Sequence, residues 1–100
     1  MKLYKTHLAT LGFNTRSLII TLESAIYPFD DTYRDDSISA LSNPLIDLEV
    51  AVDLIECIIA ALETRIDDAG ELELSAWDEE CLKTRLSNYS KTLRNLNSMV

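Results

Sequence analysis

Side chains able to do covalent or metal chemistry are few in this sequence. His7 is the single histidine, and the thiols Cys57 and Cys81 stand far apart. A hydrolytic triad or a zinc site needs several His, Cys or carboxylate groups converging on one point. One imidazole and two isolated thiols do not make that pattern. Both thiols are expected to behave as small buried apolar groups. The chain also lacks a glycine-rich phosphate loop, a GxSxG elbow and an HExxH helix. No cofactor, no metal and no enzymatic activity is expected.

Carboxylates are the abundant chemistry. All 17 acidic residues lie between Glu23 and Glu80, a stretch with only two cations, Arg34 and Arg65. The flanks carry Lys2, Lys5, Arg16, Lys83, Arg85, Lys91 and Arg94 and no acid, and the whole chain has a net charge of −8. Asp30, Asp31, Asp35 and Asp36 invite a calcium reading. A loop begun at Asp31 would set Asp36 where the calcium loop needs Gly, and Ser42 where it needs a bidentate Glu. The cluster reads instead as a solvated acidic loop open to a basic partner.

A second set of carboxylates has helical spacing. At about 100° per residue, Glu49, Asp53, Glu56, Ala60, Glu63 and Asp67 fall on one narrow stripe. Its five carboxylates span about 27 Å at ~1.5 Å rise per residue. Like charges at i,i+3 and i,i+4 repel, at a few tenths of a kcal/mol per pair. The stripe is balanced by the chain's own cations, by solvent, or by a basic partner.

Helices must position these groups, since two Gly and two Pro in 100 residues allow few turns and therefore few, long elements. The central one is expected over about 44–68, with Asn43 as N-cap, Pro44 at the first helical position and Gly70 in the C′ role. Apolar residues cover roughly 240° of its circumference. Within that arc Asp47, Ala51, Leu54, Ile58, Ala61 and Arg65 lie on one line. Two antiparallel copies crossing near residue 56 would pair Leu54 with Ile58, Ala51 with Ala61 and Asp47 with Arg65, a self-complementary homodimer seam. The same two charges also suit the two helix ends.

The last helix is expected over about 76–98. Ser75 and Asp78 form a capping box, and Leu82, Leu86, Tyr89, Leu93, Leu96 and Val100 make a narrow seam. Trp77, beside the cap, is expected to pack over the loop end; the alternative is an interface anchor. The first helix is expected over about 2–27, stopped by Pro28. Tyr4, Leu8, Leu11, Thr15, Leu18, Leu22 and Ala25 keep helical phase through Gly12, which favours one continuous or gently broken helix. In the alternative, Gly12 ends a short helix and Asn14 caps a second, with Phe13 and Leu18 as a hydrophobic staple. Residues 28–43 read as a loop with at most a helical turn near Ser37–Leu41. The expected fold is all-α: a single-domain, three-to-four-helix bundle built on the central hydrophobic helix.

The acidic balance argues against direct binding to nucleic acid or to an anionic membrane. No window offers the ~18 uncharged apolar residues of a membrane span, and the amino-terminal residues lack a signal peptide's apolar region and cleavage site. A cytoplasmic compartment is the expectation. Small acidic helical chains without enzymatic motifs resemble, as a class, stoichiometric inhibitors. Among these are phage-encoded anti-CRISPR and anti-restriction proteins and the immunity partners of nuclease toxins. The likeness is one of size and charge. It implies an antagonist whose carboxylates occupy a basic, nucleic-acid-binding protein surface. The competing expectation is a homodimeric adaptor, chaperone or regulatory subunit.

Overall fold

The chain opens with a strand. In a computed structural model, which describes residues 1–23, 30–68, 70, 71, 73 and 75–99, β1 (Lys2–Tyr4) pairs antiparallel with β2 (Leu45–Asp47). Between them run α1 (Lys5–Thr10), α2 (Thr15–Glu23) and α3 (Asp31–Leu41); α4 (Leu48–Asp67) and α5 (Ala76–Asn97) follow. The fold is thus predominantly helical with one small two-stranded sheet, where an all-α chain was expected.

The ribbon corrects the start of the central helix. Lys2 stands opposite Asp47, Leu3 opposite Ile46 and Tyr4 opposite Leu45. The Lys5 amide donates to the Pro44 carbonyl at 3.1 Å, and the Leu48 amide to the Met1 carbonyl at 2.7 Å. Pro44, with no N–H to give, sits at the end of the ladder, where none is required. Asp47, not Asn43, is therefore the N-cap of α4, and its Oδ1 accepts from the Glu49 amide at 2.9 Å. The far end also differs. Asp68 is the C-cap of α4, and Gly70 lies beyond it without a positive φ.

The first helix is broken, not continuous. Gly12 has φ +94°, a conformation open to glycine at little cost. Preserved phase across this position does not keep the helix intact. Asn14 caps α2 through the Ser17 amide at 3.1 Å, and Phe13 and Leu18 are both buried, as the staple arrangement requires. The expected continuation to Tyr27 and stop at Pro28 lie outside the described residues. Residues 31–41, expected as a loop, form the full helix α3. Asp30 caps it, accepting from the amides of Thr32 and Tyr33.

The core is assembled from one face of α4 (Leu48, Ala51, Leu54, Ile55, Ile58 and Leu62). Against it pack Leu82, Tyr89 and Leu96 of α5, with Leu8, Phe13, Leu18, Leu22, Leu41 and Ile46 from the first half of the chain. The contact of α4 with α5 is the most extensive between elements. Ser75 caps α5 as expected, its Oγ accepting from the Asp78 amide at 3.1 Å and donating to the Asp78 carboxylate at 2.9 Å. Val100, the last member of the expected seam, lies outside the described residues.

Polar contacts tie the α1–α2 corner and α2 to α5. Thr92 donates to the Gly12 carbonyl at 3.2 Å and Asn95 to the Leu11 carbonyl at 3.0 Å. The Thr21 hydroxyl lies 2.9 Å from that of Tyr89 and accepts from Arg85 at 3.1 Å. No helix among the described residues is long and apolar enough to cross a membrane.

Candidate protein-binding surface

The stripe on α4 exists as a surface because the opposite face of the helix is the core. Glu49, Asp53, Glu56, Glu63 and Asp67 are all exposed. Ion pairs among the described residues involve other carboxylates: Asp31 and Asp35 with Arg34, at 3.0 and 3.7 Å, and Glu79 with Lys83, at 3.4 Å. Asp47 completes that set at the start of the chain. Among the described residues, no cation of the flanks forms an ion pair with the stripe. Arg85 instead reaches the buried hydroxyl of Thr21.

The four aspartates expected in an acidic loop divide in function. Asp30 is spent on capping α3, and Asp31 and Asp35 hold Arg34. Asp36 is exposed and makes no ion pair among the described residues. The group therefore decorates a helix, not a loop, and Asp36 is its member free for an outside cation.

The line expected as a dimer seam has other duties in the fold. Ala51, Leu54 and Ile58 are buried in the chain's own core, Leu54 with 6% of its surface exposed. Asp47 caps α4. Ala61 and Arg65 are half-buried. A two-fold seam on these six residues would require the monomer's core to open.

Between α3 and α4 lies a pocket of about 170 Å³. Phe13, Leu41, Ile46, Ala51 and Leu54 form its buried lining. Tyr33, Ser37, Ala40, Val50, Asp53 and Cys57 complete the wall. Tyr33 shares this wall with Cys57 and Ser37. Burial pushes its phenol up from 10.0 to about 12; the Cys57 hydrogen bond and charge and the Asp53 carboxylate act the same way, and the Ser37 bond opposes them. Asp53 belongs both to the stripe and to the pocket wall.

Comparisons with family models, with curated proteins and with solved structures find no match to this chain.

The remaining candidates fall elsewhere. His7 is exposed in the last turn of α1. Cys57, expected to be buried, is exposed at the pocket wall, and Cys81 is half-buried. No three His, Cys, Asp or Glu side chains gather into a possible metal site among the described residues. Trp77 is 76% exposed. The pocket was invisible to sequence reasoning, because it needs α3 to be a helix. Its one sequence signal was the excess width of the apolar arc on α4, where Val50 and Cys57 border the stripe.

Proposed function

We propose that this chain is a protein-binding antagonist that acts through the acidic face of α4, with Asp36 of α3 as an outlying carboxylate. The observation that carries this reading is the exposed row Glu49, Asp53, Glu56, Glu63 and Asp67, which makes no ion pair among the described residues. Selection for stability alone does not favour such a row, since its neighbours repel along the helix. A surface rich in Lys and Arg would relieve that repulsion and be drawn to it at long range.

The partner that fits is a basic surface of a nucleic-acid-binding protein. Five carboxylates over about 27 Å face the space of roughly eight phosphates along one strand, at ~3.4 Å per phosphate. The row is sparser than nucleic acid, so it competes for a basic groove by occupying part of it. Anti-CRISPR, anti-restriction and nuclease-immunity roles are forms of this one mechanism and differ in the target.

The test is capture from a plausible host lysate by the immobilised chain and by a variant carrying Glu49→Gln, Asp53→Asn, Glu56→Gln, Glu63→Gln and Asp67→Asn. Capture by the wild type should weaken with salt, yield to added duplex DNA, and be lost in the variant. Equal capture by both chains at every salt concentration would sink the proposal. It would favour the adaptor class, whose binding does not need the carboxylates.

A further inference from the structure

We infer that the pocket between α3 and α4 is the anchor point of that interaction: it takes one aromatic or branched aliphatic side chain from a partner segment whose neighbouring residues are Lys or Arg. The inference rests on the basic-partner reading and adds to it the apolar half of the contact.

Size, lining and charge each limit the occupant. A cavity of roughly 150 Å³ walled by Leu, Ile and Phe accepts benzene. The pocket, at about 170 Å³ with Phe13, Leu41, Ile46 and Leu54 within, is matched to one ring or one branched side chain. It opens to the surface beside Val50, which is 46% exposed, and the exposed Asp53 and Cys57. Interface energy concentrates where a large side chain fills a dry pocket inside a polar rim. Here the rim is anionic. Asp53 stands in the wall, and Glu49 and Glu56 flank it at i−4 and i+3 on the same face of α4. An apolar side chain between cations satisfies both halves, whereas one between carboxylates would be repelled. A second copy of this chain brings a net −8 to the same face. The segment of this chain nearest to the required chemistry is Lys2-Leu3-Tyr4-Lys5, whose Tyr4 is exposed. The test must therefore report on self-association too.

Cys57 lies in the pocket wall and serves as the reporter. In a Cys81→Ser chain, its alkylation rate is followed while a labelled ten-residue Lys/Arg peptide with one central Phe is titrated in, binding being read by fluorescence anisotropy. The controls are the same peptide with Ala for Phe and with Glu for the cations. The Phe peptide should bind roughly tenfold or more tighter than the Ala peptide and slow Cys57 alkylation. Equal binding of Phe and Ala peptides, with Cys57 unprotected, overturns the anchor while leaving the acidic-surface reading intact. Tight Phe binding that is indifferent to salt and to the Glu replacement keeps the anchor and overturns the basic flanks. Failure of every peptide overturns both. Protection of Cys57 that rises with the chain's own concentration, and is abolished by Tyr4→Ala, assigns the pocket to a second copy and overturns the partner assignment.

Discussion

Single residues decide where the helices start, and some of them were legible in advance. Ser75 caps α5 as its spacing announced, and Asn14 caps α2 as only the alternative to a continuous first helix had it, because a cap is read from a few consecutive residues. Asp47 was not legible. On the assumption of a helix from Asn43 it falls on the apolar arc and looks like half of an intermolecular ion pair. Once β2 exists it is the cap. Asp47→Ala should lower stability by about 1 kcal/mol in urea unfolding; no loss would mean that the cap bond is idle. Gly12 is a second such position. A Cβ there would lie 2.8 Å from the Thr92 hydroxyl, on a backbone with φ +94°. Gly12→Ala should therefore destabilise by more than about 1 kcal/mol in the same assay. Tyr33 supplies a pH prediction. Its folded pKa of about 12 lies above the 10.0 of a free phenol, so the neutral form is favoured in the fold. The linked stability is full below pH 10 and declines as pH rises toward about 12. Ultraviolet titration should show a late phenolate component near pH 12 that disappears in Tyr33→Phe.

At the scale of elements, strong periodicity was readable and weak or long-range signals were not. The apolar face of α4 and the seam of α5 recur often enough to be seen in the sequence, and both helices form close to where they were expected. Helix α3 has only Tyr33, Ile38, Ala40 and Leu41 to turn inward, among polar residues that resemble a loop. Its identity rests on the Asp30 cap and on packing against α2 and α4. The β1–β2 ribbon has three residues per strand and joins positions more than forty apart, so no local pattern marks it. The stripe was legible as a pattern, but its lack of ion pairs among the described residues was not, because ion pairing depends on where α5 points its side chains. That lack has a measurable consequence. The pairs Glu49–Asp53, Asp53–Glu56 and Glu63–Asp67 each repel by a few tenths of a kcal/mol. Converting the five carboxylates to amides should raise stability by up to about 1 kcal/mol at low salt, with the gain fading at high salt. An unfolded or destabilised variant would show that the carboxylates are structural.

For the whole molecule, the charge map resolves into parts with different work. Asp30, Asp47 and Asp78 serve helix starts, and Asp31, Asp35 and Glu79 meet cations of their own helices. The α4 row and Asp36 face outward, as do Glu23, Glu71, Glu73 and Glu80, and an apolar pocket runs along one side of the row. The molecule is thus one in which a hydrophobic core holds a line of like charge in place on a single long helix. The most direct test of this account is binding of an oligo-arginine peptide, followed by anisotropy across a salt series, to the wild-type chain and to the five-amide variant. Wild-type affinity should fall steeply between about 50 and 300 mM salt, and the variant should bind roughly tenfold or more weakly at the low end while keeping its circular dichroism. Equal affinity and equal salt dependence for the two chains would contradict it.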